Sequence, residues 1–229
     1  LDPSVSYTYD AIGNVLTTVV NGGIDGTTTT TMEYDEAGNQ KKIIGPNIGT
    51  ITSTYTALNV VKTQLDNKSQ LFTYSYDLLG RLTSLVSPDG TSSWEWDTAS
   101  YGKGKLASRS NAGFSETYNY NSSGKLISMV TGLSPIGGGG TTYYTTSHTY
   151  DSYGRPLSKL KNGSTAIQTI NDMDAFGNII DESYANGVNT SRTFDPETGR
   201  LTGVNTSKGS DVFQDNDYAW RSNGTLESR

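Results

Sequence analysis

Residues that could do chemistry are sparse in this sequence. His148 is its only histidine, which excludes mechanisms that need a histidine pair and metal sites built from several imidazoles. Because the chain has no cysteine, a thiol nucleophile, a cysteine zinc site and a disulfide framework are excluded as well. Serine is common, but no Gly-x-Ser-x-Gly elbow exposes a nucleophile. We therefore predict a structural role for His148, no catalytic residue and no cofactor, and a protein that is not an enzyme.

Acidic residues form two groups that deserve comparison with metal sites. Asp172 and Asp174, followed by Gly177, begin like a calcium loop but lack the third ligand pair and the distal glutamate. Asp211, Asp215 and Asp217 cluster without a fixed ligand spacing. Turns or solvated surface explain both groups more simply, so no metal site is predicted.

Aromatic residues are the remaining candidates for binding. Trp94 and Trp96 alternate along one segment, which places both on one face of a strand, where they could stack on sugars. Tyrosines at the same place in successive repeats, described next, could instead stack on one another as a ladder across the sheet. The ladder is the favoured interpretation, and carbohydrate binding by Trp94 and Trp96 is kept as the alternative.

The elements that must position these residues come from a tandem repeat. An aromatic-Asp pair is followed three residues after the aspartate by glycine, and the strict copies are Tyr9-Asp10…Gly13, Tyr34-Asp35…Gly38, Tyr76-Asp77…Gly80 and Tyr150-Asp151…Gly154. Degenerate copies are Trp96-Asp97 with Gly102 or Gly104, Tyr120-Asn121…Gly124, Met173-Asp174…Gly177 and Phe194-Asp195…Gly199. The weakest copies are Tyr55 with Asn59 and Tyr218 with Gly224.

The spacing within each copy predicts a turn. The aspartate can accept a backbone N–H at the first turn position, and the glycine can adopt the left-handed conformation that returns the chain to the next strand. A second turn signal lies midway through many repeats, as in Asn162-Gly163 and Asn186-Gly187. Each period therefore holds two strands of roughly five to eight residues. We predict an all-β fold of about 20 strands in tandem antiparallel hairpins, which form a curved, spiralling meander sheet.

Composition agrees with this fold and limits the partners. Hydrophobic residues are 33% and charged residues 17% of the chain, too few apolar groups for a thick core, and the abundance of Gly, Thr and Tyr excludes a helical protein. The net charge of −6 argues against nucleic acid or an anionic membrane as partner. No apolar run is long enough to span a bilayer.

One repeat region is predicted for the whole chain, residues 1–229, because no change in composition marks a linker. Residues 132–141, which include four consecutive glycines, are predicted to be a flexible hairpin loop. The first residues, Leu1-Asp2-Pro3-Ser4, are neither a signal peptide nor a translation start, so we expect the chain to be part of a longer repeat array.

The repeat resembles a known family. Tyr-x-Tyr-Asp-x-x-Gly-Arg-Leu-x-Ser, present here over residues 74–84, is similar to the YD repeat of the RHS-repeat family, and residues 96–108 resemble a variant of it. Members include bacterial RHS toxins, components of insecticidal toxin complexes and teneurins, and the absence of cysteine favours a bacterial protein over a teneurin.

The resemblance implies a β-sheet ribbon that spirals into a hollow shell around a C-terminal toxic domain. It therefore implies, as partners, the remainder of the shell and a polypeptide cargo, and delivery from a bacterial cell to its surface or surroundings. In that family a self-cleaving aspartate site carries paired Asp-Pro motifs. Only residues 194–200, around Asp195-Pro196, resemble one, and no second copy follows. No catalytic residue is therefore transferred, and the predicted role is a structural part of the shell, with a carbohydrate-binding or adhesin-type module as the alternative.

Overall fold

The computed structural model describes residues 4–23, 26–135 and 137–229. Over these residues the chain forms strands and turns and no helix. The first strands are β1 (Ser4–Tyr9), β2 (Val15–Gly23), β3 (Gly26–Tyr34), β4 (Gln40–Gly45), β5 (Gly49–Tyr55), β6 (Val61–Leu65), β7 (Leu71–Tyr76), β8 (Leu82–Ser87), β9 (Gly90–Trp96) and β10 (Leu106–Asn111). The others are β11 (Phe114–Tyr120), β12 (Leu126–Leu133), β13 (Thr142–Tyr150), β14 (Pro156–Lys161), β15 (Thr165–Met173), β16 (Ile179–Tyr184), β17 (Asn189–Phe194), β18 (Leu201–Lys208), β19 (Asp211–Asp217), β20 (Ala219–Trp220) and β21 (Leu226–Ser228).

Nineteen of these strands belong to one open antiparallel sheet, which confirms the predicted all-β meander. The chain divides into two compact units, one reaching Trp96 and including residues 108–114, the other holding residues 97–107 and 115–229. In the first unit β1 to β9 pair in chain order. In the second, β12 to β19 pair in chain order, and β20 pairs with β21 in a separate small sheet. The single repeat region over residues 1–229 stays a prediction.

Each Asp-x-x-Gly segment forms a tight turn. At Asp77 the backbone N–H donates to the carbonyl of Arg81 at 3.0 Å, and the N–H of Gly80 donates to the carbonyl of Asp77 at 3.0 Å. Gly80 has a φ of 75°, in the left-handed region that glycine adopts without strain. The strand register shifts between Ser75 and Tyr76, next to the turn. The same shift is found next to Tyr9, Tyr34, Tyr55, Tyr150 and Phe194, so at these turns the ladder is irregular beside the aromatic residue.

The sheet has almost no core. Among the described residues, Ala107 is the only hydrophobic side chain that is buried, at 5% exposure. The low apolar content of the sequence is therefore matched by a thin structure, held by backbone ladders and by contacts between neighbouring repeats. No helix in the described part of the chain is long and apolar enough to cross a membrane.

The glycine-rich segment connects two long strands. Gly132 and Leu133 lie in β12 and pair with Tyr143 and Thr142 of β13. Residues 134–141 therefore connect the two strands, whereas the predicted loop covered residues 132–141. Residue 136 of that loop lies outside the described residues. Leu1, Asp2 and Pro3, at the start of the sequence, lie outside them as well.

Candidate functional site

The turn aspartates hold their own turns together. In Asp77, Oδ1 accepts the backbone N–H groups of Leu79 and Arg81, each at 2.9 Å, and Oδ2 accepts Nε of Arg81 at 2.7 Å. The backbone hydrogen bond from Arg81, joined by its guanidinium, holds the pKa of Asp77 below its usual value despite partial desolvation. The same pattern of two amides and one side chain is found at Asp10, Asp35, Asp151 and Asp174. These aspartates are thus occupied by structural hydrogen bonds.

In seven repeats an aromatic residue binds the backbone of the repeat before it. The hydroxyl of Tyr76 donates to the carbonyl of Val61 at 2.8 Å, and the indole N–H of Trp96 donates to Leu82 at 2.8 Å. The accepting carbonyl is always two residues after the left-handed turn position. The further pairs are Tyr34 with Val15, Tyr55 with Gln40, Tyr120 with Leu106, Tyr150 with Leu126 and Trp220 with Leu201, at 2.7–3.0 Å.

A cation from the preceding repeat covers several of these rings. Arg81 lies 5.0 Å from the ring centroid of Trp96, and Lys125 lies 5.4 Å from that of Tyr150. Lys105 is placed in the same way, 5.5 Å from Tyr120. Each of these three cations directly follows a turn glycine. In the joints of Tyr34, Tyr55 and Tyr76 the same position is an uncharged residue, Asn14, Asn39 or Val60. We call the aromatic ring and the carbonyl that it binds, with this cation where one is present, the inter-repeat joint.

The joint differs from the predicted ladder of stacked tyrosines. Successive joint aromatics lie on alternate strands, about 10 Å apart, which is twice the strand spacing and too far for direct ring stacking. The rings therefore bind a carbonyl and a cation in place of one another. Tyr7 and Tyr9, which share β1, have ring centroids 6.3 Å apart.

Sugar stacking by both tryptophans finds little support in their surroundings. Trp96 is half-buried within a joint, where Arg81 covers its ring and its N–H is bonded. Trp94 is half-buried and lines a small hollow of about 100 Å³ with Arg109 and Phe114. The two indoles thus have different environments, and Trp94 lines a hollow beside Arg109 and Phe114.

His148 and the acidic groups stand apart from any recognisable active site. His148 lies on β13 opposite Lys159, and burial, with the charge of that lysine, lowers its pKa. Asp174 is engaged in its turn, and Asp172 accepts the N–H of Met173 at 2.8 Å. Across the part of the chain that the structure describes, no group of three or more His, Asp or Glu side chains could hold a metal.

Two features escaped the sequence analysis. Asp66 forms a turn in which Oδ1 accepts the amides of Lys68 and Gln70, and Ser69 takes the left-handed position with a φ of 60°. The sequence contains the pattern Asp-x-x-Ser here in place of Asp-x-x-Gly, but Asp-x-x-Ser is a less specific indication of a turn.

The other is a buried carboxylate. Glu182, only 3% exposed, accepts Nη2 of Arg192 at 2.5 Å and Nε2 of Gln168 at 2.7 Å. Burial alone would raise the pKa of Glu182, but these hydrogen bonds and the charge of Arg192 bring it below its usual value. No local sequence pattern predicts this contact between Glu182, Arg192 and Gln168.

The comparison with known families finds a match for one part of the repeat array. The model of the RHS Repeat family matches residues 49–92, which contain the Tyr55 and Tyr76 anchors. Residues 49–92 are thus similar to the RHS repeat. The predicted resemblance is thereby confirmed, and the joint between Tyr76 and Val61 lies inside the matched RHS repeat. None of the curated protein sequences matches the chain.

Solved structures with a similar arrangement include the crystal structure of TcdB2-TccC3-TEV, with a TM-score of 0.49 and 17% identity, and that of TcdB2-TccC3, with 0.48 and 17%. The structure of the Photorhabdus luminescens Tc holotoxin pore has a TM-score of 0.47 and 16% identity. In each case the alignment covers 97% of this chain and 15% of the other. The chain therefore spans about 15% of the length of these proteins.

Proposed function

We propose that the chain is a wall segment of an RHS-repeat shell that encloses a polypeptide cargo, a toxin domain, in a longer protein. The observation that carries the proposal is the inter-repeat joint, in which one repeat supplies the carbonyl acceptor for the aromatic of the next, as found seven times along the chain. A sheet joined in this way grows by adding repeats and needs no second layer. Such a sheet suits a thin wall.

The absence of a core supports the same role. A single-layer sheet buries few apolar side chains, and the aspartates of its Asp-x-x-Gly turns, such as Asp77, are engaged in hydrogen bonds within those turns. Its two faces remain available, one toward an enclosed volume and one toward solvent. The wall itself supplies no catalytic group in this proposal, and its partners are the rest of the shell and the cargo. We place the longer protein at the surface of a bacterial cell or outside it.

Limited proteolysis of the longer protein tests the proposal. The segment that follows the repeats should be cleaved at least tenfold more slowly when attached to the intact wall than as a separate polypeptide. A variant with two weakened joints, Tyr76→Ala and Tyr150→Ala, should lose that protection. The variant Tyr153→Ala, which changes an 85% exposed tyrosine at a turn, is the matched control. Equal cleavage with and without an intact wall would refute encapsulation.

Carbohydrate binding remains the second candidate because Trp94 lines a hollow beside Arg109 and Phe114. Aromatic rings beside hydrogen-bonding groups are a common platform for sugars. Glycan-array binding that is lost in Trp94→Ala, in a variant with unchanged unfolding, would favour this module over the wall. A lack of binding by the unaltered chain would remove this candidate.

A further inference from the structure

A groove on the surface of the sheet lies beside the joint of Tyr76. It runs between the turn of residues 56–60 and β7 and has a volume of about 470 Å³, which is within the usual range for a binding cleft. We call it the Tyr76 groove. Its lining includes Leu58, Val60, Lys62, Tyr74, Tyr76 and Asp77, which all belong to the first compact unit.

The end of the groove next to the turn is apolar. Leu58, which is 68% exposed, and Val60 line this end. The ring of Tyr76 is held beside them, because its hydroxyl donates to a backbone carbonyl of β6 at 2.8 Å. In the next turn on the same edge of the sheet, Leu78 is 100% and Leu79 is 75% exposed. A partner that covers these side chains gains free energy because it removes apolar surface from water.

The other end of the groove carries two hydrogen-bond donors. Thr63 of β6 pairs with Thr73 of β7, and in the same antiparallel register Lys62 lies across from Tyr74. Within the residues that the structure describes, the ammonium of Lys62 forms no ion pair and the hydroxyl of Tyr74 forms no hydrogen bond. The two donors are therefore free to bind one carboxylate together.

Asp77 also lines the groove, but its charge is compensated within its own turn. Its Oδ1 accepts the amides of Leu79 and Arg81, and its Oδ2 lies 2.7 Å from both Nε and Nη2 of Arg81. Among the described residues that line the groove, Lys62 therefore carries the one uncompensated charge. The groove is thus complementary to a negative charge attached to an apolar group.

The preceding repeat offers a comparison. Lys41 stands three residues after the left-handed turn residue, as Lys62 does, and is likewise exposed. Lys42 pairs with Thr52, so Lys41 lies across from Ser53. A lysine opposite a tyrosine is therefore found at the Tyr76 groove and not at this equivalent place, and Lys41 provides a matched control.

We propose that the Tyr76 groove binds an acidic residue of a partner polypeptide together with the apolar residue beside it. The carboxylate accepts hydrogen bonds from Nζ of Lys62 and from the hydroxyl of Tyr74, and the positive charge strengthens the first of them. The apolar side chain packs on Val60 and on the ring of Tyr76. Apolar surface at Leu78 and Leu79 extends outside the groove, which favours a polypeptide over a small organic acid. The proposal is independent of whether the chain encloses a cargo.

A peptide titration tests the proposal. The probe is a blocked nine-residue peptide with Leu-Glu-Leu at its centre, compared with the same peptide with Leu-Gln-Leu, and binding is followed by NMR shifts of the Tyr74 and Tyr76 rings at physiological ionic strength. The Glu peptide should bind at least fivefold more tightly than the Gln peptide. Equal binding of the two peptides, or binding of neither, would overturn the proposal.

Variants of the two lysines locate the contact. Lys62→Met keeps an unbranched apolar side chain and removes the charge, so it should weaken the Glu peptide at least fivefold and change the Gln peptide less than twofold. Tyr74→Phe should weaken the Glu peptide in the same direction. Lys41→Met changes the net charge of the chain equally and should leave both affinities within about twofold. Equal effects of Lys62→Met and Lys41→Met would show that the peptide responds to net charge and not to the groove.

A free organic acid distinguishes the other source of the same chemistry. The probe is 4-phenylbutyrate, which has one carboxylate and one apolar group and does not extend to the neighbouring turn. It should bind at least tenfold more weakly than the Glu peptide. If 4-phenylbutyrate bound as tightly as the peptide and Lys62→Met abolished its binding, the groove would be a site for small acids, and the proposed polypeptide partner would be wrong.

Discussion

Lys125 reaches from the end of one turn to the next and donates from Nζ to the carbonyl oxygen of Gly154. The same ammonium lies 5.4 Å from the ring centroid of Tyr150, the aromatic that precedes that turn. The residue at position 154 must therefore meet two requirements: it must adopt a left-handed backbone, with a φ of 79°, and it must leave space for the lysine of the preceding repeat. Turn geometry and contact between repeats are coupled at this glycine.

The coupling predicts that two turn glycines respond differently to alanine. A Cβ at Gly154 would approach Cε of Lys125 to 2.7 Å, whereas a Cβ at Gly80 would meet no atom within 4 Å. Gly80→Ala should cost about 1–2 kcal/mol for the left-handed backbone alone. Gly154→Ala should cost more, because Lys125 must also leave its place. Urea titration measures both, and equal costs would show that the lysine contact contributes nothing.

The hydroxyl of Tyr76 should contribute to stability. Tyr76→Phe keeps the ring and leaves the carbonyl of Val61 without its donor, so we expect a loss of about 1 kcal/mol in the free energy of unfolding. The matched control is Tyr153→Phe, since that side chain is 85% exposed and should be nearly neutral. If both variants unfold alike, the joint hydrogen bond does not stabilise the sheet.

The turn aspartates predict a loss of stability in acid. The pKa of Asp77 is lower in the folded chain than its usual value, chiefly through the hydrogen bond from the Arg81 amide, so the folded state favours the ionised form. The resulting stabilisation is complete above the unfolded pKa of about 4 and is lost as the pH falls through the folded pKa.

Asp77→Asn should therefore flatten the dependence of the thermal midpoint on pH below about pH 4. Asn121 occupies the equivalent position naturally and accepts the amides of Ser123 and Lys125, so the variant turn should still form. An unchanged pH profile would mean that the Asp77 carboxylate is not tied to folding.

The buried contact of Glu182 with Arg192 should be the most sensitive ion pair among those described. Glu182→Ala leaves the guanidinium, at 27% exposure, without its partner, and we expect a cost of about 3 kcal/mol. Replacing both residues by leucine should cost less, because no charge is then left unpaired. A double-mutant cycle measured by denaturant titration gives the coupling, and a coupling near zero would contradict this assignment.

The strand and turn pattern was readable from the sequence because each turn is encoded locally. Asp77 and Gly80 are three residues apart, and their hydrogen bonds close within five residues. The longer turn that begins at Asp97 could also be predicted from the sequence. Asp97 accepts the amide of Gly104 at 2.5 Å, and Gly104 is one of the two glycines predicted to close this turn.

Contacts between repeats were not readable in this way. The acceptor of Tyr76 is 15 residues earlier, and its identity depends on the register of the strand between them. The burial of Glu182 depends on Arg192 in the neighbouring strand, which no spacing in the sequence indicates.

Electron cryomicroscopy of the longer protein tests the wall assignment most directly. The account predicts that residues 4–229 form part of a single-layer sheet around an enclosed volume that contains density for the cargo, with the aromatic-to-carbonyl contacts of Tyr76 and Tyr150 intact. A sheet that stands free of any enclosure, with sugar bound at Trp94, would contradict it.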